Sequence, residues 1–275
     1  HENQNGFRKG RGTTENLVSL TNSLYQAFSR KEIAICVFID LKAALDKLDT
    51  CMNEAQIDKW SIQTILKLLE KRNIYIRSPN TGNLKGPQVS YKGLPQGSPL
   101  SPILFNIYTQ ELSRFNEENV HILQYADDLV VYSYHKKIEF GLRKIQTTLY
   151  HISAWLETNG LTISMDKTKA MLMSRGVRRN PHTNIAINNN NIEWVNQYKY
   201  LGMILDKKLS WHYHIEATCK KAQEGINIMK AVCGVWWGAE NFTLQNIYKG
   251  LVRSNLEYGC QAMFRTSQAN WLKLD

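Results

Sequence analysis

The chain has 275 residues, 43% of them hydrophobic, and its 34 Lys and Arg against 24 Asp and Glu give a net charge of +10. This length supports one main domain with a smaller appendage, and the charge favours a nucleic-acid partner, although many basic proteins simply carry a solvated basic face. No apolar run approaches the ~20 residues that span a bilayer, and no signal region or cysteine framework is visible, so we expect an intracellular protein that is neither membrane-bound nor secreted.

The first segment is polar, basic and rich in glycine, with GFRKGRGT at residues 6–13, and the chain does not begin with Met. We therefore expect it to be part of a longer protein. Apolar residues from Leu17 to Phe28 recur at spacings of three and four, which predicts an amphipathic helix. Thr13 or Thr14 is the expected cap of this helix.

A buried strand is predicted over residues 33–39, because IAICVFI is apolar on both faces and rich in β-branched side chains. This strand should end at Asp40. Residues 55–71 have the spacing of a helix with Trp60 facing inward. A Pro, Asn and Gly interruption at 79–87 then separates two short strands, which predicts a hairpin.

An acidic pair is predicted to lie at the tip of a second hairpin. Ser-Pro pairs within residues 98–102 predict the start of a helix that runs to about Ser113. Two apolar strands follow at 120–125 and 129–132. Only Ala-Asp-Asp at 126–128 separates them, so the two carboxylates must sit in a tight turn.

The rest of the chain predicts an α+β fold that ends in helices. A helix over residues 137–158 is followed by strands at 161–164 and 169–173, and a further hairpin spans 185–195 around four asparagines. From Trp211 onward the pattern is helical. The tryptophans of this last region are expected to be core residues rather than nucleic-acid stacking platforms: Trp211, Trp236, Trp237 and Trp271.

Asp40, Asp127 and Asp128 are far apart in sequence, yet each is predicted where a strand emerges from a sheet. Pairing those strands would cluster three carboxylates, which repel one another unless cations neutralise them. Hard oxygen ligands in this number suit Mg²⁺ bound partly by substrate phosphates, and two such ions support in-line nucleotidyl transfer. The alternative is that Asp127-Asp128 is an ordinary turn dipeptide and Asp40 a helix cap.

Several motifs and their order resemble those of reverse transcriptases. They are GFRKGRGT at 6–13, FIDLKAALD at 38–46, GLPQGSPLSPILFNIY at 93–108, YADD at 125–128, GLTISMDKTK at 160–169 and YKYLGMILD at 198–206. The LPQGSPLSP form and the later YKGLVRSNLEYGC at 248–260 resemble non-LTR, LINE-like enzymes of the jockey type. The group II intron type shares the PQG and YADD motifs and is the second interpretation, but this tail argues against it. A viral RNA polymerase would more typically show GDD.

The resemblance implies a right-hand polymerase palm with partial fingers over residues 1–206 and a helical, thumb-like region over 207–275. It implies an RNA-directed DNA polymerase that uses an RNA template, a DNA primer and deoxynucleoside triphosphates. Two Mg²⁺ ions, or Mn²⁺ in their place, would be held by Asp40, Asp127 and Asp128. No particular protein partner is implied.

Further site residues follow from the same resemblance. Tyr125 belongs to the active-site turn, and the small Ala126 would let the primer end approach. Lys167 could protonate departing pyrophosphate, the alternative being an exposed lysine with no such role. The remaining implied substrate-binding residues are Pro95, Gln96 and Gly97 in the nucleotide and template pocket, Arg8, Lys9 and Arg11 at phosphates, and Leu45 beside the sugar. For the three basic residues a merely solvated loop is the alternative. The strands around residues 200–202 would form the primer grip.

Leu45 departs from the family pattern, which usually has an aromatic residue at this position to reject a ribose 2′-hydroxyl. We expect deoxynucleotide preference to survive in a weaker form. A catalytically dead, nucleic-acid-binding remnant of a decayed element is the hypothesis from a different functional class. The departure at Leu45 favours it, whereas the retention of all three aspartates opposes it.

Overall fold

The computed structural model describes residues 4–43, 48–79, 81–90, 94–95, 97–176, 181, 183–234 and 237–274. The α-helices are α1 (Thr13–Ser29), α2 (Leu48–Glu54), α3 (Lys59–Glu70), α4 (Leu100–Tyr108), α5 (Ile138–Thr158), α6 (His212–Val232), α7 (Asn241–Ile247), α8 (Ser254–Glu257) and α9 (Gln268–Trp271). Shorter turns of other helical types cover Gln110–Phe115, Tyr248–Arg253 and Cys260–Met263. Within these described ranges no helix is long and apolar enough to cross a membrane.

The strands follow the order of the predicted elements. They are β1 (Ile33–Ala43), β2 (Arg72–Arg77), β3 (Leu84–Ser90), β4 (Val120–Tyr125), β5 (Asp128–His135), β6 (Leu161–Ile163), β7 (Lys169–Met173), β8 (Ala186–Ile187), β9 (Asn190–Asn191), β10 (Glu193–Trp194), β11 (Gln197–Tyr200) and β12 (Met203–Asp206). The central sheet has the order β10-β7-β1-β5-β4, with β6 paired to β1. β1 is antiparallel to β5, β6 and β7, and β7 is parallel to β10.

β1 separates two apolar cores, because successive side chains of a strand point to opposite faces of the sheet. Ile35 and Val37 belong to the cluster that contains the apolar face of α5, whereas Cys36 and Phe38 belong to the cluster that contains α1. The predicted buried strand is confirmed, but it continues to Ala43 because β6 pairs with its far end. Asp40 therefore lies within the strand, and the expectation that the strand ends there is wrong.

The predicted first helix is confirmed as α1, but its cap is not a threonine. Helix geometry begins at Thr13, and the capping position is Gly12. The Gly12 N–H donates to Glu15 Oε2 at 2.7 Å, so a glutamate three residues along accepts the backbone N–H at the start of the helix.

The helix predicted over residues 55–71 is confirmed as α3, but it begins only at Lys59, and the expectation that Trp60 faces inward is wrong. Asp58 caps the helix and accepts the Ser61 N–H at 2.9 Å. The side chain of Trp60 is 74% exposed, and Ile62 is the buried residue of α3. The spacing of apolar residues correctly predicted a helix. Trp60, however, lies in the first turn of this helix, on the side that faces solvent. The hairpin predicted around residues 79–87 is confirmed as β2–β3.

Two tryptophans of the C-terminal region lie in the core that also contains α1. Trp211 is fully buried, as expected, and its indole N–H donates to the Tyr25 hydroxyl at 2.7 Å. Trp271 is partly buried against the same core. Trp237, in contrast, is 76% exposed, so the prediction that it is a core residue is wrong. Trp236 lies outside the described residues.

Asp206 holds the connection between β12 and α6, and its removal should destabilise the fold. Its buried carboxylate accepts the N–H groups of Lys208, Ser210 and Trp211 at 2.9–3.1 Å, and the Ser210 hydroxyl at 3.0 Å. We expect Asp206→Ala to lower the free energy of unfolding by about 3 kcal/mol, since four hydrogen bonds are lost and the buried Trp211 N–H is left without its acceptor. Urea unfolding beside the exposed control Asp166→Ala measures this; equal midpoints in the two variants would contradict it.

Candidate active site

The three predicted aspartates lie together where β1 runs beside the tip of the β4–β5 hairpin. Asp40 of β1 stands directly opposite Asp128, the first residue of β5, and directly opposed residues on antiparallel strands share a face of the sheet. Asp127 lies in the turn, and its carbonyl accepts the Leu41 N–H at 3.2 Å. The predicted hairpin is confirmed and the carboxylates are neighbours. Their role as metal ligands stays a prediction.

The charges of this cluster are only partly balanced. Burial, and then the carboxylates of Asp127 and Asp40, raise the pKa of Asp128 to about 6, while Lys167 acts in the opposite direction. The Lys167 ammonium lies 3.3 Å from both carboxylate oxygens of Asp40, although the lysine side chain is 67% exposed. The site thus holds acidic oxygens that repel one another and already attract a cation.

Divalent cations fit the donor set of this cluster, but the side chains do not by themselves enclose one. Carboxylate oxygens are the ligands that Mg²⁺ prefers, together with substrate phosphates and water. Within the part of the chain that the structure describes, no three His, Cys, Asp or Glu side chains form a ready metal-binding group. A metal would therefore need ligands from the substrate, or a rotation of the aspartate side chains away from Lys167.

Replacing Asp128 by asparagine should stabilise the metal-free protein at high pH. The ordinary pKa of an aspartate is near 3.8, and that of Asp128 is raised to about 6. Between these values the folded state binds more protons than the unfolded state, so the stability of the wild type falls as pH rises and the cost is complete above about pH 6. Thermal unfolding without divalent cations should give Asp128→Asn a higher melting temperature than wild type at pH 8 and little gain at pH 4. Equal gains at both pH values, or an equal gain in Asp166→Asn, would contradict this.

The turn itself contains a strained residue. Ala126 has φ +54°, in the left-handed region that residues other than glycine seldom adopt. Its N–H donates to Gln4 Oε1 at 3.2 Å, and its carbonyl accepts a bond from Gln124 Nε2 at 2.9 Å. The opening segment passes close beneath, because a Cβ added to Gly6 would lie 2.4 Å from the Ala126 nitrogen. Tyr125 ends β4 half-buried beside this turn.

The loop before α4 is described only in part. Pro95 is half-buried and its carbonyl accepts the Ser101 hydroxyl at 2.7 Å, which holds the loop against the first turn of α4. Gly97 has φ +90°, a backbone conformation suited to glycine. Gln96 and Leu45 lie outside the described residues.

The predicted basic loop is partly tied to the protein. Arg8 donates to the Gln4 carbonyl at 3.2 Å and Arg11 to Asn5 Oδ1 at 3.0 Å, so both guanidinium groups help to fix the opening segment. Lys9 is exposed. Contacts of these residues with phosphates stay a prediction.

The hairpin β11–β12 lies against the acidic strands through aromatic side chains. Phe38, two residues before Asp40, stacks on Tyr198 with ring centroids 4.2 Å apart. Burial, and then the charges of Asp128 and Asp40, raise the pKa of Tyr198 to about 12. The turn at Leu201 is in turn held by the Tyr258 hydroxyl, which donates to its carbonyl at 2.6 Å.

Three polar residues near the turn were missed by reasoning from the sequence: Gln4, Asn16 and Gln124. The buried Asn16 amide donates to the Gln124 carbonyl at 2.9 Å and accepts the Tyr200 hydroxyl at 3.1 Å, which ties the two hairpins together. A signal was present for two of them. Asn16 interrupts the apolar stripe of α1, and Gln124 interrupts an apolar strand directly before the acidic turn.

Comparison with known proteins adds the family context. Residues 1–205 match the family model described as reverse transcriptase (RNA-dependent DNA polymerase). The chain is 28% identical over 239 residues to the probable RNA-directed DNA polymerase from transposon BS of Drosophila melanogaster, covering 83% of this chain and 26% of that protein. It is 27% identical over 277 residues to the RNA-directed DNA polymerase from mobile element jockey of the same species, covering 94% of this chain and 29% of that protein. The chain thus spans less than a third of each relative.

Among solved structures, the fold is similar to that of apo telomerase from Candida tropicalis. The form truncated from its C-terminal domain has a TM-score of 0.50 at 14% identity, covering 75% of this chain and 40% of that one. A second structure of apo telomerase from this organism has a TM-score of 0.50 at 13% identity, covering 76% of this chain and 37% of that one. At these identities the likeness concerns the fold alone.

Proposed function

The chain belongs to the reverse transcriptase (RNA-dependent DNA polymerase) family, and from this premise we propose that it is the polymerase core of a non-LTR retrotransposon enzyme that copies RNA into DNA. The predicted α+β, right-hand polymerase fold is confirmed. The observation that carries the proposal is the register that sets Asp40 opposite Asp128 at the YADD turn.

Asp40, Asp127 and Asp128 are proposed to hold two Mg²⁺ ions, with Mn²⁺ as a substitute. Bound there, the metals would lower the pKa of the primer 3′-hydroxyl and stabilise the leaving oxygen. The strands of the sheet hold the aspartates in position to bind the metals. Lys167 contacts Asp40 at 3.3 Å, so to protonate departing pyrophosphate it must first leave that carboxylate, and its 67% exposure permits this.

The substrates are proposed to be an RNA template, a DNA primer and deoxynucleoside triphosphates. The small side chain of Ala126 leaves room for the primer end above the turn, and Tyr125 flanks it. Pro95, Gln96 and Gly97 line the nucleotide and template pocket in this proposal. The basic segment with Arg8, Lys9 and Arg11 meets phosphates, in keeping with the net charge of +10.

The proposed division places fingers and palm in residues 1–206 and a thumb-like region in 207–275. β12 ends at Asp206, and the long helix α6 opens the second part. The contact of Tyr258 with Leu201 would let the thumb-like region set the position of the β11–β12 hairpin, the proposed primer grip.

Extension of a labelled DNA primer on an RNA template by the purified chain tests the proposal. Product should require Mg²⁺ and deoxynucleotides, and it should disappear when either is omitted. Binding of primer and template that is not followed by any extension, with Mg²⁺ or Mn²⁺, would count against a polymerase and for a binding remnant.

The sugar preference of the enzyme should be weaker than that of relatives with an aromatic residue at the position of Leu45. In the proposed site, leucine fills less of the space beside the sugar C2′ than an aromatic ring does. We expect deoxynucleotides still to be preferred over ribonucleotides, and Leu45→Phe to increase that preference. Competitive incorporation of the two sugars measures the ratio; equal incorporation by the wild type would contradict the expectation.

A further inference from the structure

Both peptide groups of Ala126 are held by glutamine side chains from different parts of the chain. Gln4 Oε1 accepts the Ala126 N–H at 3.2 Å and also the Gly6 N–H at 2.7 Å. Gln124 Nε2 donates to the Ala126 carbonyl at 2.9 Å and to the Thr109 hydroxyl at 2.8 Å. Both glutamines are buried, with Gln4 5% and Gln124 4% exposed.

The orientation of the Gln4 amide follows from its neighbours. Two N–H groups point at one of its terminal atoms, so that atom must be the oxygen. The other atom, Nε2, is buried and has no hydrogen-bond partner among the residues that the structure describes. A buried unpartnered amide nitrogen is costly. The two bonds accepted by the oxygen offset part of this cost.

Ala126 needs such support because its φ of +54° is unfavourable for alanine. Asp127 and Asp128 follow it directly, so any relaxation of Ala126 toward ordinary backbone angles would move both carboxylates relative to Asp40. Further hydrogen bonds hold in place the segments that carry Gln4 and Gln124. The Asn5 N–H donates to the Gln124 carbonyl at 3.0 Å, and the Asn106 amide donates to the Gly6 carbonyl at 2.9 Å.

We propose that Gln4 and Gln124 are positioning residues, whose side-chain amides clamp the two peptide groups of Ala126 and so fix Asp127 and Asp128 opposite Asp40. Neither glutamine touches the reacting atoms. The opening segment is thus part of the catalytic geometry through Gln4, although its basic residues were the ones expected to matter. The kinetic consequence rests on the proposed polymerase function; the clamp itself does not.

Hydrogen exchange at the Ala126 amide tests the clamp without any need for activity. Gln4→Met keeps a side chain of similar length but removes the acceptor, so protection of this amide should be lost. The matched control is Asn5→Ala, which alters a neighbouring buried side chain whose oxygen bonds Arg11 and not the turn. Loss of protection in Gln4→Met alone is expected. Unchanged protection in Gln4→Met, or equal loss in both variants, would overturn the clamp.

Primer extension then tests the consequence. Gln4→Met and Gln124→Met should each lower kcat about tenfold or more, because small displacements of reacting groups have large effects on rate. The KM for deoxynucleotides and the affinity for primer and template should not change. In an Ala126→Gly background, where the residue adopts positive φ without strain, the loss caused by Gln4→Met should be clearly smaller. An equal loss in both backgrounds would overturn a positioning role. If the wild type fails to extend any primer, the proposed function fails, and the exchange experiment still decides on the clamp.

Discussion

Replacing Asp127 by asparagine, or Asp40 by alanine, should reduce primer extension by at least about 1,000-fold while leaving the binding of primer and template largely intact. The carboxylates are proposed to hold the metals that act on the attacking and leaving oxygens, and about 4 kcal/mol of transition-state stabilisation corresponds to this loss. Binding depends instead on basic residues and phosphates. Asp127 is exposed, so its substitution should not unfold the protein.

The control for this pair is Glu139→Gln, which removes one negative charge from an exposed position in the first turn of α5. It should extend primers at the wild-type rate. The salt dependence of binding should be nearly the same in all three variants, since none of them removes a basic phosphate contact. Extension at a normal rate by Asp127→Asn or Asp40→Ala would show that these aspartates are not the catalytic metal ligands.

A single methyl group added at Gly6 should disrupt both the fold near the turn and the proposed activity. The added Cβ would lie 2.4 Å from the Ala126 nitrogen and 3.2 Å from its Cα, and neither of these backbone atoms can rotate away as a side chain could. We expect Gly6→Ala to cost about 3 kcal/mol of stability, and to displace the opening segment from the acidic turn. Chemical unfolding and primer extension measure the two effects.

Gly250→Ala is the matched control, because its added Cβ meets no atom within 4 Å. This variant should keep the stability of the wild type, or gain slightly from the helix propensity of alanine, and should extend primers normally. If Gly6→Ala unfolds at the same denaturant concentration as Gly250→Ala and extends primers equally well, the close contact beneath the turn has no energetic importance.

The meeting of the aspartates could be predicted from the sequence because it depends on short-range rules. Alternating and continuous apolar runs identified β1, β4 and β5, and only three residues were available for the turn, so the acidic pair had to lie at a hairpin tip. Pairing with the strand that carries Asp40 was then enough to cluster the carboxylates. The extension of β1 beyond Asp40 was not predictable, since it depends on β6, which is more than a hundred residues away.

The support of the turn could not be predicted, for a related reason. The amide of Gln4 and the peptide of Ala126 meet only in the folded chain, and no periodicity links a polar residue in a loop to a turn so distant in sequence. The hydrophobic periodicity of the sequence also could not predict which individual aromatic side chains are exposed. Tryptophan is typical of protein cores, but Trp60 lies at the start of a helix and Trp237 in a loop, and both side chains face solvent.

The central place of β1 has a consequence for which insertions and deletions this chain can tolerate. Its two faces serve two different cores, and its register with β5 also sets Asp40 opposite Asp128. Gain or loss of one residue between Ile33 and Asp40 would shift the part of β1 on one side of the change by one position, so that either its core side chains or the Asp40 carboxylate would point to the opposite face of the sheet. Changes of length within this strand should therefore impair both folding and catalysis.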